Sequence, residues 1–210
     1  MNITELLNEL RVNILRDVSD LDTEDEAELQ DSYLWTDATL VEYINQGYYR
    51  LAKQAYLIRD KTTAEVCDIT LETGVEDYDL HPSVVTVYSA RIGNRNLQRS
   101  SHSPLTGANP DIAFRYPTEM TTPPGNPWVF TTDEENGTIR LFPAPAAEFN
   151  GQTMNLRVAR LPLAKLALPE GEEDPMVPEI REEYHMHILE WAAWLALRNN
   201  DTDAENLVRA

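Results

Sequence analysis

The chain has 210 residues, 36 acidic against 17 basic, and a formal net charge of -19. A hydrophobic share of 42% excludes wholesale disorder, and the charge disfavours nucleic acid or an anionic membrane as a partner, because both require a basic footprint. One cysteine, Cys67, excludes a disulfide framework and a cysteine-based zinc cage. The opening Met-Asn-Ile-Thr-Glu lacks the basic and apolar regions of a secretory signal, and no apolar run approaches the roughly 20 residues a bilayer requires. The expectation is a soluble protein made in a reducing cytoplasm.

Residues 3 to 17 predict a first helix, with Ile3, Leu6, Leu7, Leu10, Ile14 and Val18 on one face and Asn2 and Glu5 placed as a capping box. The stretch 19–31 follows, carrying Asp20, Asp22, Glu24, Asp25, Glu26, Glu28 and Asp31 without a basic residue, and is expected as a solvated loop. Read as a calcium loop it fails, because Asp25 stands where the sharp turn needs glycine and Asp31 where glutamate is needed. A long helix is predicted from Thr36 to Ile58, about 33 Å at 1.5 Å per residue. Thr36 is its cap and Trp35 its hydrophobic staple, Leu40, Val41, Ile44, Tyr48, Leu51 and Ala55 form its stripe, and Gly47 admits a close neighbour.

From Thr62 the pattern turns to alternation. Strands are expected over Ala64–Leu71, at Tyr78-Asp79-Leu80, over Val84–Ile92 and over Met154–Leu161. Trp128–Thr132 and Thr138–Phe142 read as a hairpin around Asn136-Gly137. The Ser, Pro and Gly-rich stretch 100–126 predicts a long functional loop. A connector with acidic Glu170, Glu172, Glu173 and Asp174 leads to a last helix after Pro178, expected to end at Arg198 before an Asn199-Asn200-Asp201 break and a short final helix. Its stripe is read as Ile180, Tyr184, His187, Ile188, Trp191, Trp194 and Leu195.

Candidate chemistry is sparse. His185 and His187 are two apart on a helix, about 200° around, and cannot share an ion; Glu183 and His187 make at most a helix-face pair. No nucleophile elbow, phosphate loop or dinucleotide fingerprint occurs, and Cys67 reads as a small buried hydrophobe. Trp191 and Trp194 read as core anchors, or else as a subunit interface. No catalytic, metal or cofactor-binding residue is named. The short C-terminal segment is expected to dock on a partner through Leu207, Val208 and Arg209.

The run from Trp35 to Ala52, opening Trp35-Thr36-Asp37-Ala38-Thr39-Leu40 and reaching Ile44-Asn45, resembles the W-[ST]-D-x-x-L-x-x-x-[IL]-N signature of head-to-tail adaptor (connector) proteins of tailed bacteriophages. Ile139-Arg140-Leu141-Phe142-Pro143-Ala144-Pro145 is similar to that family's strand ending in Pro-x-Pro, and Asn199–Asp203 to its late turn. The resemblance implies a virion component at the head-tail junction without enzymatic activity. It implies a ring, twelve-fold in that family, with a portal protein on one side and a tail tube or nozzle protein on the other. DNA would pass through the channel without specific binding, and acidic walls would exclude its phosphates. With the element order, it gives an α+β fold: a helical bundle of three main helices, residues 1–60 plus 176–210, with an inserted β-rich block over 61–175. Its Leu207, Val208 and Arg209 would meet the portal. Two other readings stay open: a different tail-assembly subunit, or a small cytoplasmic ligand-binding module or enzyme.

Overall fold

A computed structural model describes residues 1–17, 33–100, 123–132, 137–169, 171 and 174–208, with side chains given up to Arg198. The expected acidic loop over 19–31, most of the 100–126 loop and Glu170, Glu172 and Glu173 lie outside the described residues. The chain divides into two compact units, Met1–Ile58 with Pro162–Ala210, and Arg59–Leu161.

In the first unit α1 (Ile3–Asn8) begins with the capping box the sequence predicts. The Asn2 side chain accepts from the Glu5 N–H at 2.9 Å, and the Glu5 carboxylate accepts from the Asn2 N–H at 3.0 Å. The helix then widens into a π-helical stretch, Glu9–Leu15, and ends in a left-handed Arg16, rather than running as one α-helix to residue 17. Helix α2 (Asp37–Ala55) is capped by Thr36 and closes at Tyr56, which takes a left-handed conformation (φ 51°); the chain leaves it as β1 (Ile58–Asp60), so the helix does not reach Ile58.

The second unit holds nearly all the sheet structure. Its larger sheet runs β1, β9 (Thr153–Arg160), β4 (Val84–Ile92), β5 (Arg95–Asn96), with β2 (Asp68–Thr70) also paired to β9. The smaller runs β3 (Asp77–Asp79), β8 (Thr138–Phe142), β7 (Val129–Thr131), β6 (Gln98–Arg99). β7 and β8 pair antiparallel with Val129 opposite Phe142, and Gly137 takes the positive φ that the hairpin reading requires. Side chains from both sheets, among them Val87, Leu156 and Val158 of one and Phe130, Ile139 and Leu141 of the other, share one apolar cluster. Ala64–Cys67 is a single helical turn, α3, and not the start of a strand. The Asp60 carboxylate accepts the Thr62 and Thr63 N–H groups at 2.9 and 3.1 Å, which bends the chain before the strand can begin.

The last helix, α4 (His185–Val208), follows a 3-10 turn at Glu182–Tyr184 and passes through Asn199-Asn200-Asp201 without the predicted break. Its buried face is His185, Ile188, Leu189, Ala192, Ala193 and Ala196, rotated from the predicted stripe. The two helices approach closely at Gly47 of α2, where a Cβ would lie 2.7 Å from the Ile188 carbonyl oxygen. At this approach α2 meets Ile188 and the Cβ of Trp191; Trp191 stays half-buried, while Ala192, Ala193 and Ala196 are buried.

The expected helical bundle with an inserted β-rich block is therefore corrected. Among the described residues the fold is sheet-rich, with nine strands in two sheets and few helices. The physical reason lies in the helical stripes, which do not close a core by themselves. Leu166 and Ile180, from the non-helical 162–184 stretch, complete the cluster formed by Ile3, Leu6, Leu10, Leu40, Ile44 and Ile188.

Candidate functional site

The Trp35-Thr36-Asp37 run opens α2 and is held from a distance in sequence. The Thr36 hydroxyl accepts from the Thr39 N–H at 3.3 Å, the ordinary capping bond. The left-handed Arg16 turns the chain so that the Asp17 N–H meets the Arg11 carbonyl at 3.0 Å. The Asp17 carboxylate then receives the Arg11 guanidinium at 2.6 Å and the Leu34 N–H at 2.9 Å. The same guanidinium donates to the Trp35 carbonyl at 2.9 Å and to Asp37 at 2.6 Å, and its carbon lies 3.9 Å from the Tyr33 ring centroid. The side chains of Arg11 and Asp17 are 7% and 6% exposed. One planar cation thus joins both ends of the 18–32 segment and the N-terminus of α2, where the Asp37 charge also suits the helix dipole.

Further along α2, Asn45 is buried and reaches Leu166, while the Tyr48 hydroxyl accepts from the Glu179 N–H at 2.7 Å. The signature helix is therefore a hub: its start holds the N-terminal helix, its middle the 162–184 stretch, and Gly47 the close approach of α4.

The β unit carries a second buried ion pair. Arg160 Nε donates to Asp60 at 2.7 Å. Burial alone would raise the Asp60 carboxyl; the Thr62 and Thr63 N–H groups, the Thr63 hydroxyl and Arg160 overcome it and hold it well below the usual carboxylate range. Burial, then the Asp60 and Asp68 charges, pushes the neighbouring Cys67 thiol up to about 11. That is the reverse of a nucleophile's environment. No group of three His, Cys, Asp or Glu side chains suited to a metal occurs among the described residues.

A family model for the SU10 adaptor protein matches residues 1–210. The chain belongs to that family. The resemblance to phage head-to-tail adaptors, drawn from Trp35–Ala52, thus extends over the whole sequence, and the protein is a bacteriophage adaptor, a structural component of the virion. A comparison with curated proteins found no match.

In this SU10-type adaptor the residues singled out by sequence are dispersed. Leu207 and Val208 fall in the last turn of α4, and Arg209 lies outside the described residues. His185 is buried, its Nε2 3.1 Å from the Ile180 carbonyl, whereas His187 is exposed and pairs with Glu190 rather than Glu183. Trp194 is 45% exposed and so is not a core anchor. Arg11 was not singled out. The available signal was its position four after Leu7 and three before Ile14, on the apolar face, where a charge needs a buried partner. Among the described residues no helix is long and apolar enough to cross a membrane.

Proposed function

We propose that this adaptor joins the portal to the tail, forming a ring at the head-tail junction through which DNA passes. The observation that carries the reading is the family match over residues 1–210, which includes the β unit as well as the helical elements that bear the signature. The partners in this reading are the portal protein, a tail tube or nozzle protein, and further copies of the chain, about twelve, arranged by head-to-tail contacts that close by rotation. The net charge of -19 supports it, since an acidic channel wall repels phosphates and lets DNA slide without specific binding. Leu207, Val208 and Arg209 are the residues proposed to meet the portal.

Electron microscopy of the purified protein mixed with its portal rings tests this. The expected outcome is a ring of adaptor density seated on the portal; a portal that stays bare under conditions where both proteins are folded overturns it. Removal of residues 201–210 should then abolish co-sedimentation with the portal while thermal stability is retained.

A further inference from the structure

Of two neighbouring tryptophans on α4, Trp194 is exposed and Trp191 is half-buried. The rings of Trp191 and Trp194 stack with centroids 4.6 Å apart and planes 29° from parallel. Arg50 of α2 lies with its guanidinium carbon 3.7 Å from the Trp191 centroid, and that of Arg198 is 5.1 Å from the Trp194 centroid. Arg50, Trp191, Trp194 and Arg198 thus touch in series, with Leu197 beside them at 58% exposure.

Neither Arg50 nor Arg198 has a carboxylate within ion-pair distance among the described residues, so each guanidinium spends its contact on a tryptophan ring. Both are exposed, in a protein with 36 acidic and 17 basic residues. A stacked aromatic pair flanked by guanidiniums has the composition of an interface centre, where Trp and Arg carry most of the binding energy.

We infer that the Arg50–Trp191–Trp194–Arg198 series docks an acidic surface of a second copy of this chain, in a head-to-tail contact. Charge selects the occupant: every copy presents a large excess of carboxylates that can answer the two arginines. It also selects the geometry. Two copies of the patch facing each other would oppose like charges, so a two-fold contact is disfavoured and a heterologous one favoured. Single-stranded nucleic acid is the other chemistry that tryptophan and arginine can stack, but a body at -19 repels phosphates. The inference rests on the ring reading above and names the surface that builds the ring.

The test uses the full chain, alone and with portal rings, in sedimentation velocity and negative-stain microscopy, with Trp194→Ala and Arg198→Glu each compared to wild type. Both positions are exposed, so melting temperatures should stay within a few degrees of wild type. The expected result is rings from wild type and loss of rings from both variants. Variants that ring as wild type does overturn this inference and leave the ring reading intact. A wild type that stays monomeric with and without portal overturns the ring reading and this inference with it. Rings that form but no longer bind the portal would assign the patch to the portal contact, and single-stranded DNA binding lost in the variants would assign it to a strand; either overturns it.

Discussion

Asn45 grips Leu166 by both sides of its backbone: Nδ2 donates to the Leu166 carbonyl at 2.8 Å, and Oδ1 accepts from the Leu166 N–H at 2.8 Å. The two residues are 121 apart in sequence and both are buried. A single amide side chain here substitutes for a strand partner, which lets a non-helical segment enter an apolar core without orphaned polar groups. Asn45→Ala should leave both Leu166 groups unpaired and cost about 2 to 4 kcal/mol. Urea unfolding measures this; a midpoint equal to wild type would contradict the assignment.

The Arg11 contact makes a sharper demand. Arg11→Met removes the cation and leaves Asp17 buried without its ion-pair partner, a change expected to cost about 3 to 5 kcal/mol. Arg11→Lys should recover little of it, because one ammonium cannot span Asp17, Asp37 and the Trp35 carbonyl as a planar fork does. Melting temperatures of the two variants decide it. Full stability in the lysine variant would show that charge alone suffices.

Gly47→Ala opposes two effects. Alanine improves helix propensity by about 1 kcal/mol. Its Cβ would also fall 2.7 Å from the Ile188 carbonyl oxygen, a backbone atom that cannot swing aside. Overpacking of this kind costs about 1 to 3 kcal/mol, so the net expectation is a lower melting temperature. A rise would mean that the helix pair has room the structure does not display.

Asp60 gives the β unit a pH dependence. Its folded carboxyl is depressed, so its stabilisation is fully present above the unfolded aspartate value of about 3.9 and is lost as pH falls below it. Asp60→Asn should therefore destabilise strongly at neutral pH, and the gap from wild type should narrow toward pH 3. Urea titrations at both pH values check the sign; a gap that widens in acid contradicts it.

Cys67 is 1% exposed, and its thiol is held at about 11. It should resist a soluble thiol reagent at pH 8 for as long as the protein is folded and react at once in denaturant. Rapid labelling of the native protein would disprove the burial.

Local signals carried much of this structure. The Thr36 cap, the Gly137 hairpin and the β-branched run Val84–Ile92 each announce an element by near-neighbour chemistry, and each stands where that chemistry places it. What failed depended on distant partners. Ala64–Cys67 alternates like a strand but turns, because a carboxylate at Asp60 captures the N–H groups ahead of it. The buried face of α4 depends on its packing against another helix, and hydropathy favours the larger tryptophans over the alanines that the structure encloses. The architecture is hidden for the same reason: the helical stripes are plain in sequence, while their completion by Leu166 and Ile180, and the division of the strands into two sheets, are long-range facts. Arg11, which ties three partners together, has no motif to mark it.

The Arg11 grip on Asp17 and on the Trp35 carbonyl has an evolutionary consequence. It brings residues on either side of the 18–32 segment together, so the closure that the rest of the fold experiences does not depend on what lies between. Lengthening such a closed stretch is inexpensive, about 0.6 kcal/mol for each doubling. The chain between Asp17 and Tyr33 is therefore a place where an adaptor of this kind can acquire new sequence, and with it fit a different neighbour, while the α2 hub stays as it is.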